Sequence, residues 1–343
     1  MLVSEFDYEL PSELIAQKPT AKRDQSRMMV LERKSGKISH CWFKDFPFYL
    51  KENDVLVLND SRVIPSRIWG KKDGKEIEFL FLKECQKGIW EVLCRPARKV
   101  NINDTICFSP GFEGKVISKE SEGKRKLQVS EIDVIGKLKD TGSAPLPPYI
   151  KRKKNSEYLR AMDIERYQTV FAEKYGSIAA PTAGLHFTQG ILKKIKEKGV
   201  KIVRITLDVG LATFQPVRVE RTEDNKMLEE SFSIEEKAAS IINDAKKNAH
   251  TVVAVGTTSV RVLESAFDGE KICPKSSSTN LFITPGYRFS TVDKLLTNFH
   301  MPKSTLIMLA SAFAGYNFLM KAYNEAVKHR YRFFSYGDSM LII

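Results

Sequence analysis

The sequence predicts an α/β protein: a large, discontinuous mixed α/β domain with an inserted small all-β domain, a barrel or a sandwich. Three observations predict it. The isolated apolar run Val55–Leu58, bounded by Asn53-Asp54 and Asn59-Asp60, reads as a buried strand that needs partners from elsewhere. From about residue 62 to 155 the texture is all-β, with short segments between Lys-Gly, Pro-Gly and Glu-Gly breaks. Beyond residue 160, apolar strands alternate with helically spaced segments, the pattern of a mostly parallel, covered sheet. The expected boundaries are 1–61 with 151–343 for the large domain and 62–150 for the insertion. A chain of 343 residues suits this plan, since domains commonly run to about 100–200 residues.

Within the insertion, residues 76–82 (EIEFLFL), 90–95 (WEVLCR), 115–118 (KVIS) and 126–130 (KLQVS) are the expected strands. TGSAPLPPYI (141–150) is a stiff, proline-rich exit, followed by the basic run Lys151–Lys154. Ile191, Leu192 and Ile195 share one helical face, Gly199 stops that helix, and VKIVRITL (200–207) follows as a strand. Ile234, Ala238, Ile241, Ile242 and Ala245 again have helical spacing, and TVVAVG (251–256) is a buried strand. Gly256 then opens a helix to about Phe267, LFITP (281–285) is a strand, and Ser304 or Thr305 caps one long helix to about Lys328. YRFFSYG (331–337) is expected to close the sheet.

Composition narrows the function. Hydrophobic residues are 42% and charged residues 28%, which excludes a disordered, collagenous or coiled-coil chain. The net charge is +13, of which +9 falls between Arg62 and Lys154. A basic insertion points to a polyanionic partner such as nucleic acid. The five cysteines are scattered without a CxxC pair, and the five histidines form no HxxxH or HxH, so neither a disulfide framework nor a metal site is expected. The N-terminus lacks the basic and apolar regions of a signal peptide, and the longest apolar run, Leu306–Phe313, is too short for a membrane helix. A cytoplasmic protein is the expectation.

Generic nucleotide and hydrolase motifs are missing: there is no GxxxxGK[ST], no GxGxxG and no GxSxG. LDVGLATF (207–214) looks like a dinucleotide-binding strand end, but Phe214-Gln215-Pro216 follows where a helix would have to start. What remains are clusters of small and polar residues at strand ends. Asn59-Asp60-Ser61-Arg62 combines amide, acid, hydroxyl and guanidinium groups. Ser177–Ala183 with Gly184 and His186 offers close backbone approach and an imidazole. Gly256-Thr257-Thr258-Ser259 with Arg261 presents free N–H groups at a helix start, suited to a carboxylate or phosphate. Thr297-Asn298-Phe299-His300-Met301-Pro302-Lys303-Ser304 and Phe333–Asp338 complete the set.

Taken together, these stretches resemble the S-adenosylmethionine:tRNA ribosyltransferase-isomerase family of queuosine biosynthesis. The resemblance rests on FDYELPSELIAQKP (6–19), NDSRVIPSR (59–67), PLPPYI (145–150), RYQTVFAEKYGSIAAPTAGLHFT (166–188), TFQPVR (213–218), AVGTTSVRVLES (254–265), TNFHMPKSTLIMLASAFAG (297–315) and YRFFSYGDSMLI (331–342). They run through the chain in order, and only the basic insertion matches in character alone. The resemblance implies a large α/β domain with a small β-barrel. It implies transfer and isomerisation of the ribosyl moiety of S-adenosylmethionine onto 7-aminomethyl-7-deazaguanine at the tRNA wobble position. The product is epoxyqueuosine-tRNA, with adenine and methionine released. S-adenosylmethionine is then a consumed ribosyl donor, no resident cofactor is expected, and the partners are that tRNA and S-adenosylmethionine, with no membrane and a monomeric chain.

The family chemistry starts by removing a proton from the ribose carbon beside the sulfonium. It therefore needs a base, an acid for departing adenine, and anchors for the methionine end. The candidates for proton transfer are His186 and His300, with Asp208 third. Thr257, Thr258, Ser259 and Arg261 are candidates for the carboxylate, and Asn59 and Arg62 for sugar or base. Lys151–Lys154 is a candidate phosphate contact. Trp69, Trp90 and Tyr149 are candidate stacking residues, with core packing as their other reading. Three departures from the family pattern stand out. Asn225 and Leu228 replace histidines of an HxMHxE-like segment, Asp208 stands where a His often precedes Val-Gly, and Ala212 replaces a Gly. They leave room for a non-catalytic tRNA-binding relative, while a methyltransferase using the same substrate is opposed by the missing Rossmann fingerprint.

Overall fold

Residues Arg27–Glu32 (β1) and Lys37–Trp42 (β2) form an antiparallel hairpin, and Val55–Asn59 (β3) is the fully buried strand that the VLVL run demands. The computed structural model describes residues 1–131, 133–152, 156–210 and 217–343. Lys153 and Lys154 of the basic run, Ala212, and Thr213–Pro216 of the TFQPVR stretch lie outside the described residues.

Ser61–Val63 (β4) leads into the barrel strands Arg67–Lys72 (β5), Lys75–Gln86 (β6), Ile89–Arg95 (β7), Thr105–Ser109 (β8), Phe112–Lys119 (β9) and Lys124–Val129 (β10). They close in the order β10-β7-β6-β5-β8-β9, every pairing antiparallel. Alternation along β6 and β9 sends Ile77, Phe79, Phe81, Phe112 and Val116 inward, and Glu76, Glu78, Lys115 and Lys119 outward. Gly70 permits this packing, because a Cβ there would lie 2.4 Å from the Ile106 side chain. The helices Val134–Thr141 (α1) and Glu157–Arg166 (α2) bring the chain back to Lys174–Ser177 (β11), which pairs parallel with β4.

The remainder alternates. Gln189–Glu197 (α3), Lys201–Leu207 (β12), Glu230–Ile234 (β13), Glu236–Lys247 (α4), Val252–Val255 (β14), Thr257–Ala266 (α5), Lys275–Thr279 (β15), Lys294–Asn298 (β16), Thr305–Ala314 (α6), Tyr316–Lys328 (α7) and Ser339–Ile342 (β17) follow in order. The nine-stranded sheet runs β15-β13-β12-β3-β14-β16-β17-β1-β2. The alternating faces of its central strands build two cores. Val55, Val57, Ile205, Ala254, Leu295 and Met340 pack under α4–α7, whereas Leu56, Leu58, Val253, Val255, Leu296 and Leu341 pack under α3 and the Phe43–Tyr49 turn.

The structure corrects four expectations. The sheet is mixed: β12, β3, β14 and β16 run parallel, but β13, β15, β17 and β2 join antiparallel. LFITP is irregular, and β16 and β17 take the sheet positions expected of LFITP and YRFFSYG. The long helix is two, because Gly315 adopts a φ of 89° and the chain bends by 114° between α6 and α7. Ser304 does cap α6, accepting from the Ile307 N–H. Among the described residues no single helix is long and apolar enough to cross a membrane.

Candidate functional site

Strands β3, β12, β14 and β16 are parallel, so their carboxyl ends fall on one edge of the sheet. That edge therefore gathers Asn59, Asp208, Gly256 and Asn298, which end or follow the four strands. Crevices at this edge are where open α/β sheets hold ligands. β17 runs antiparallel beside β16, which brings the Phe333–Asp338 loop to the same place, with Asn298 opposite Ser339. The polar clusters of the sequence meet because each one ends a strand or, for Phe333–Asp338, leads into the antiparallel β17.

A cleft opens there, with about 590 Å³ of space free of protein atoms, its mouth included. Its walls include Thr257 and Thr258 at the start of α5, Asn298 and His300 after β16, and Tyr149 and Ser335. Among the described residues, no Asp, Glu, Lys or Arg lines it. Gly256 turns the chain from β14 into α5 at a φ of 87°, and no side chain caps that helix. The first N–H groups of α5 therefore remain available for a ligand.

His300 is held at both ends of its residue. Its N–H donates to Tyr323 Oη at 2.9 Å, and its carbonyl accepts from Tyr8 Oη at 2.5 Å. Lys303 completes the clamp: its N–H donates to the Phe6 carbonyl and its ammonium meets Asp7 at 2.6 Å. The N-terminal Phe6-Asp7-Tyr8 stretch thus serves the site by fixing the 300–303 turn. The His300 ring bonds Thr297 Oγ1 through Nε2 at 2.8 Å, and burial depresses its pKa from 6.5 to about 3. At neutral pH only about one ring in 10⁴ is protonated.

His186 takes a different position. It is buried behind Asn298, with Nε2 3.2 Å from the Asn298 amide nitrogen and Nδ1 2.7 Å from Ser26 Oγ. Burial, helped by the Arg23 and Arg332 charges, lowers its pKa to about 3 as well. It lines a smaller cavity with Arg23 and Arg166 rather than the cleft. Asp208 lies beside the cleft, whose wall takes its neighbour Val209. Its Oδ1 accepts from Ser61 Oγ at 2.9 Å, and burial raises its pKa. Gly176 is a glycine because a Cβ there would sit 2.2 Å from that Oδ1.

The candidate anchors divide. Thr257 and Thr258 are in the wall. Asn59 spends its amide on the Leu207 peptide, the Ser61 N–H and Thr258 Oγ1, clamping β3 to β12. Ser259 donates back to the Val255 carbonyl at 2.8 Å. Arg261 is buried, paired with Glu230, and donates to the carbonyls of Leu281 and Thr279. Arg62 lies over the Tyr175 ring at 5.0 Å. None of these four lines the cleft. Asn225 and Leu228 do not line it either. Sequence reasoning placed Asn298 and Ser335 in the right clusters without selecting them, and gave Tyr149 only an alternative between stacking and packing. Tyr149 in fact reaches the cleft from the proline-rich exit, bonding Ser335 Oγ at 2.7 Å.

On the basic side, Arg152 is not a free cation. It makes two hydrogen bonds, of 2.6 and 2.8 Å, to the buried carboxylate of Asp163. Lys151 is exposed, as are Lys71, Lys75, Lys83, Lys87, Lys115 and Lys119 on the barrel. Trp90 is buried in the barrel core. Trp69 lines a groove between the barrel and α2.

The chain matches, over residues 3–342, a family model described as queuosine biosynthesis protein. It is similar to the S-adenosylmethionine:tRNA ribosyltransferase-isomerase of Acetivibrio thermocellus, at 49% identity over 347 residues and 100% of both chains. It is also similar to the protein of the same name from Halothermothrix orenii, at 48% identity over 357 residues and 100% of both. Among solved structures, the S-adenosylmethionine tRNA ribosyltransferase of Thermotoga maritima matches at a TM-score of 0.57 and 37% identity, covering 99% of this chain and 100% of that one.

Proposed function

The chain belongs to the queuosine biosynthesis protein family, and from that premise we propose that it is an S-adenosylmethionine:tRNA ribosyltransferase-isomerase acting in the strand-end cleft. The acceptor in this reading is 7-aminomethyl-7-deazaguanine at the tRNA wobble position. S-adenosylmethionine is consumed as the ribosyl donor, and adenine and methionine leave.

The observation that carries the reading is the absence of any charged side chain among the described residues of the cleft wall. A sulfonium acidifies the carbon next to it through its unscreened positive charge. A carboxylate in the wall would offset that charge, and none lines this cleft among the described residues. His300 supplies an imidazole that stays unprotonated at neutral pH. With Nε2–H donating to Thr297, the lone pair on Nδ1 can take the proton. The low pKa keeps the ring free to accept a proton but makes it a weak base, and it leaves too little imidazolium to protonate adenine. The first N–H groups of α5, beside Thr257 and Thr258, suit the methionine carboxylate. His186 and Asp208 then act from behind the wall. The exposed lysines of the barrel and Lys151 would meet tRNA phosphates, a role supported by charge and exposure.

The test is turnover on tRNA bearing the aminomethyl-deazaguanine, with free adenine and nucleoside mass followed together. One adenine released per epoxide-bearing nucleoside is expected. Binding of tRNA with no adenine release would leave a tRNA-binding relative that has lost catalysis.

A further inference from the structure

One polar atom of the cleft has no part in the chemistry proposed so far. Asn298 lines the cleft and is 2% exposed. Its amide nitrogen is committed to the carbonyls of Phe334 and Asp338, at 3.2 and 3.4 Å, and to His186 Nε2 at 3.2 Å. A carbonyl accepts and cannot donate, so the amide atom facing these two must be the N–H₂, which fixes the sense of the amide. Oδ1 is then left without any hydrogen-bond partner. Buried acceptors in that condition are uncommon and ask for a reason. Asn59, the corresponding amide at the end of β3, has donors on its Oδ1 from the N–H groups of both Ser61 and Leu207.

We infer that Asn298 Oδ1 is a substrate-binding acceptor, taking a hydrogen bond from an O–H or N–H of the nucleoside sulfonium substrate, and that His186 and Ser26 position it. The inference rests on the proposed function and adds a residue to it. His186 Nε2 accepts from the Asn298 amide, so its ring proton sits on Nδ1 and faces Ser26 Oγ. Phe43 packs against the ring at 5.2 Å between centroids, closing the chain of contacts. With both nitrogens occupied, His186 is a positioning residue.

Two pairs of variants test this. Asn298→Ala should weaken S-adenosylmethionine binding and raise its KM about tenfold or more, the effect of one buried hydrogen bond. The KM for tRNA should stay in place. A glutamine at 186 can offer its carbonyl where Nε2 was, whereas an asparagine reaches only the Nδ1 position. His186→Gln should therefore hold the KM near that of the wild type, and His186→Asn should raise it as Asn298→Ala does. Thermal melts of all three establish that each is folded. Repeating the binding with S-adenosylhomocysteine, 5′-methylthioadenosine and methionine locates the donor. Loss with the first two alone places it on the nucleoside, and loss with the first and third places it on the ammonium. A folded Asn298→Ala protein with unchanged affinity overturns the inference. So does a His186→Gln protein as inactive as His186→Asn, which would make His186 a proton-transfer group. A wild-type protein that releases no adenine removes the proposed function itself, a result the variants cannot mimic.

A second cluster stands apart from the cleft. His40 on β2 faces Glu325 and His329, which are one turn apart at the end of α7, His329 being its C-cap. Glu325 Oε1 lies 2.9 Å from His329 Nε2 and 3.7 Å from His40 Nε2, and the three ligand atoms fall within 4.8 Å of one another. Tyr331 Oη bonds His40 Nδ1 at 2.8 Å, the outer contact that turns a metal-binding imidazole and fixes its tautomer. Two imidazoles and a carboxylate are a zinc donor set, with bonds of about 2.0–2.2 Å. We propose that a zinc-like divalent cation binds here and ties the edge strand β2 to α7. Titrating Zn²⁺ into the purified chain should show one site that also raises the melting temperature. His40→Ala and His329→Ala should each weaken it about tenfold or more and abolish the stabilisation. Zinc binding of equal strength in both variants, through exposed thiols such as Cys85 or Cys107, would overturn the assignment.

Discussion

The buried pair Arg261–Glu230 offers a quantitative test of what the α5 start does. Both side chains are about as buried as core residues, at 7% and 6% exposure. The guanidinium also serves two carbonyls, and Glu230 Oε1 receives the Gly210 N–H at 2.7 Å. Arg261→Met takes away the cation paired with the buried Glu230 carboxylate, a loss of about 3–5 kcal/mol, and also the donor of two carbonyls, at about 1–3 kcal/mol each. Adding Glu230→Gln neutralises the carboxylate and keeps an acceptor for Gly210. The carbonyls lack their donor in both variants, so that cost cancels between them. The double variant should therefore be more stable than Arg261→Met alone, by about 3–5 kcal/mol. At about 2–4 °C per kcal/mol, the double variant should melt about 10 °C above Arg261→Met. Thermal unfolding of the four proteins measures the cycle. Additive losses, or an Arg261→Met protein of normal stability with a raised S-adenosylmethionine KM, would refute the reasoning and return Arg261 to the substrate.

Four further outcomes are expected. The folded state holds His186 and His300 at a pKa of about 3, against the ordinary histidine value of 6.5, so the unfolded chain binds protons that the folded chain refuses. The stabilisation is complete above pH 6.5 and fades toward pH 3, costing about 2 kcal/mol per histidine by pH 5; replacing either by Gln should flatten the melting temperature between pH 7 and 5 relative to wild type. Gly176→Ala presses a methyl into the Asp208 carboxylate and should cost about 1–3 kcal/mol with a loss of turnover, measured by melting and adenine release. Tyr8→Phe deprives the His300 carbonyl of its donor and should cost about 1–3 kcal/mol, lowering kcat as the 300–303 turn loosens. Arg152→Ala should destabilise the fold by stranding Asp163, whereas Lys151→Gln should instead raise the tRNA KM and reduce its salt slope by roughly 1 per lost phosphate contact.

The sheet centre was legible because its strands are continuous apolar runs with turn residues at both ends, as in Val55–Leu58 and Val252–Val255. The site was legible as clusters, since strand ends in a parallel sheet share an edge and small polar residues mark them. Within the clusters, residue chemistry did not tell which side chains line the cleft. His186, Arg261 and Asn59 carry polar groups that burial commits to neighbouring side chains and peptides, and no sequence pattern reveals burial at a loop. The Arg261 guanidinium in fact holds the irregular LFITP segment that reads as a strand. The sheet edges were hidden because β1 pairs with β17, from the opposite end of the chain. The break at Gly315 is invisible in an apolar stretch whose composition suits a continuous helix. The His40–Glu325–His329 cluster joins two elements 285 positions apart between His40 and Glu325, beyond any spacing rule.

A ribosyl transfer differs from a methyl transfer in which carbons leave S-adenosylmethionine for tRNA. Two preparations of S-adenosylmethionine separate them, one labelled in the ribose and one in the methyl group, each incubated with the protein and aminomethyl-deazaguanine tRNA. Ribose label is expected to enter the tRNA in equal amount to adenine released, and methyl label to stay with methionine. Methyl label on the tRNA, with adenine still attached to its ribose, would contradict the ribosyltransferase assignment.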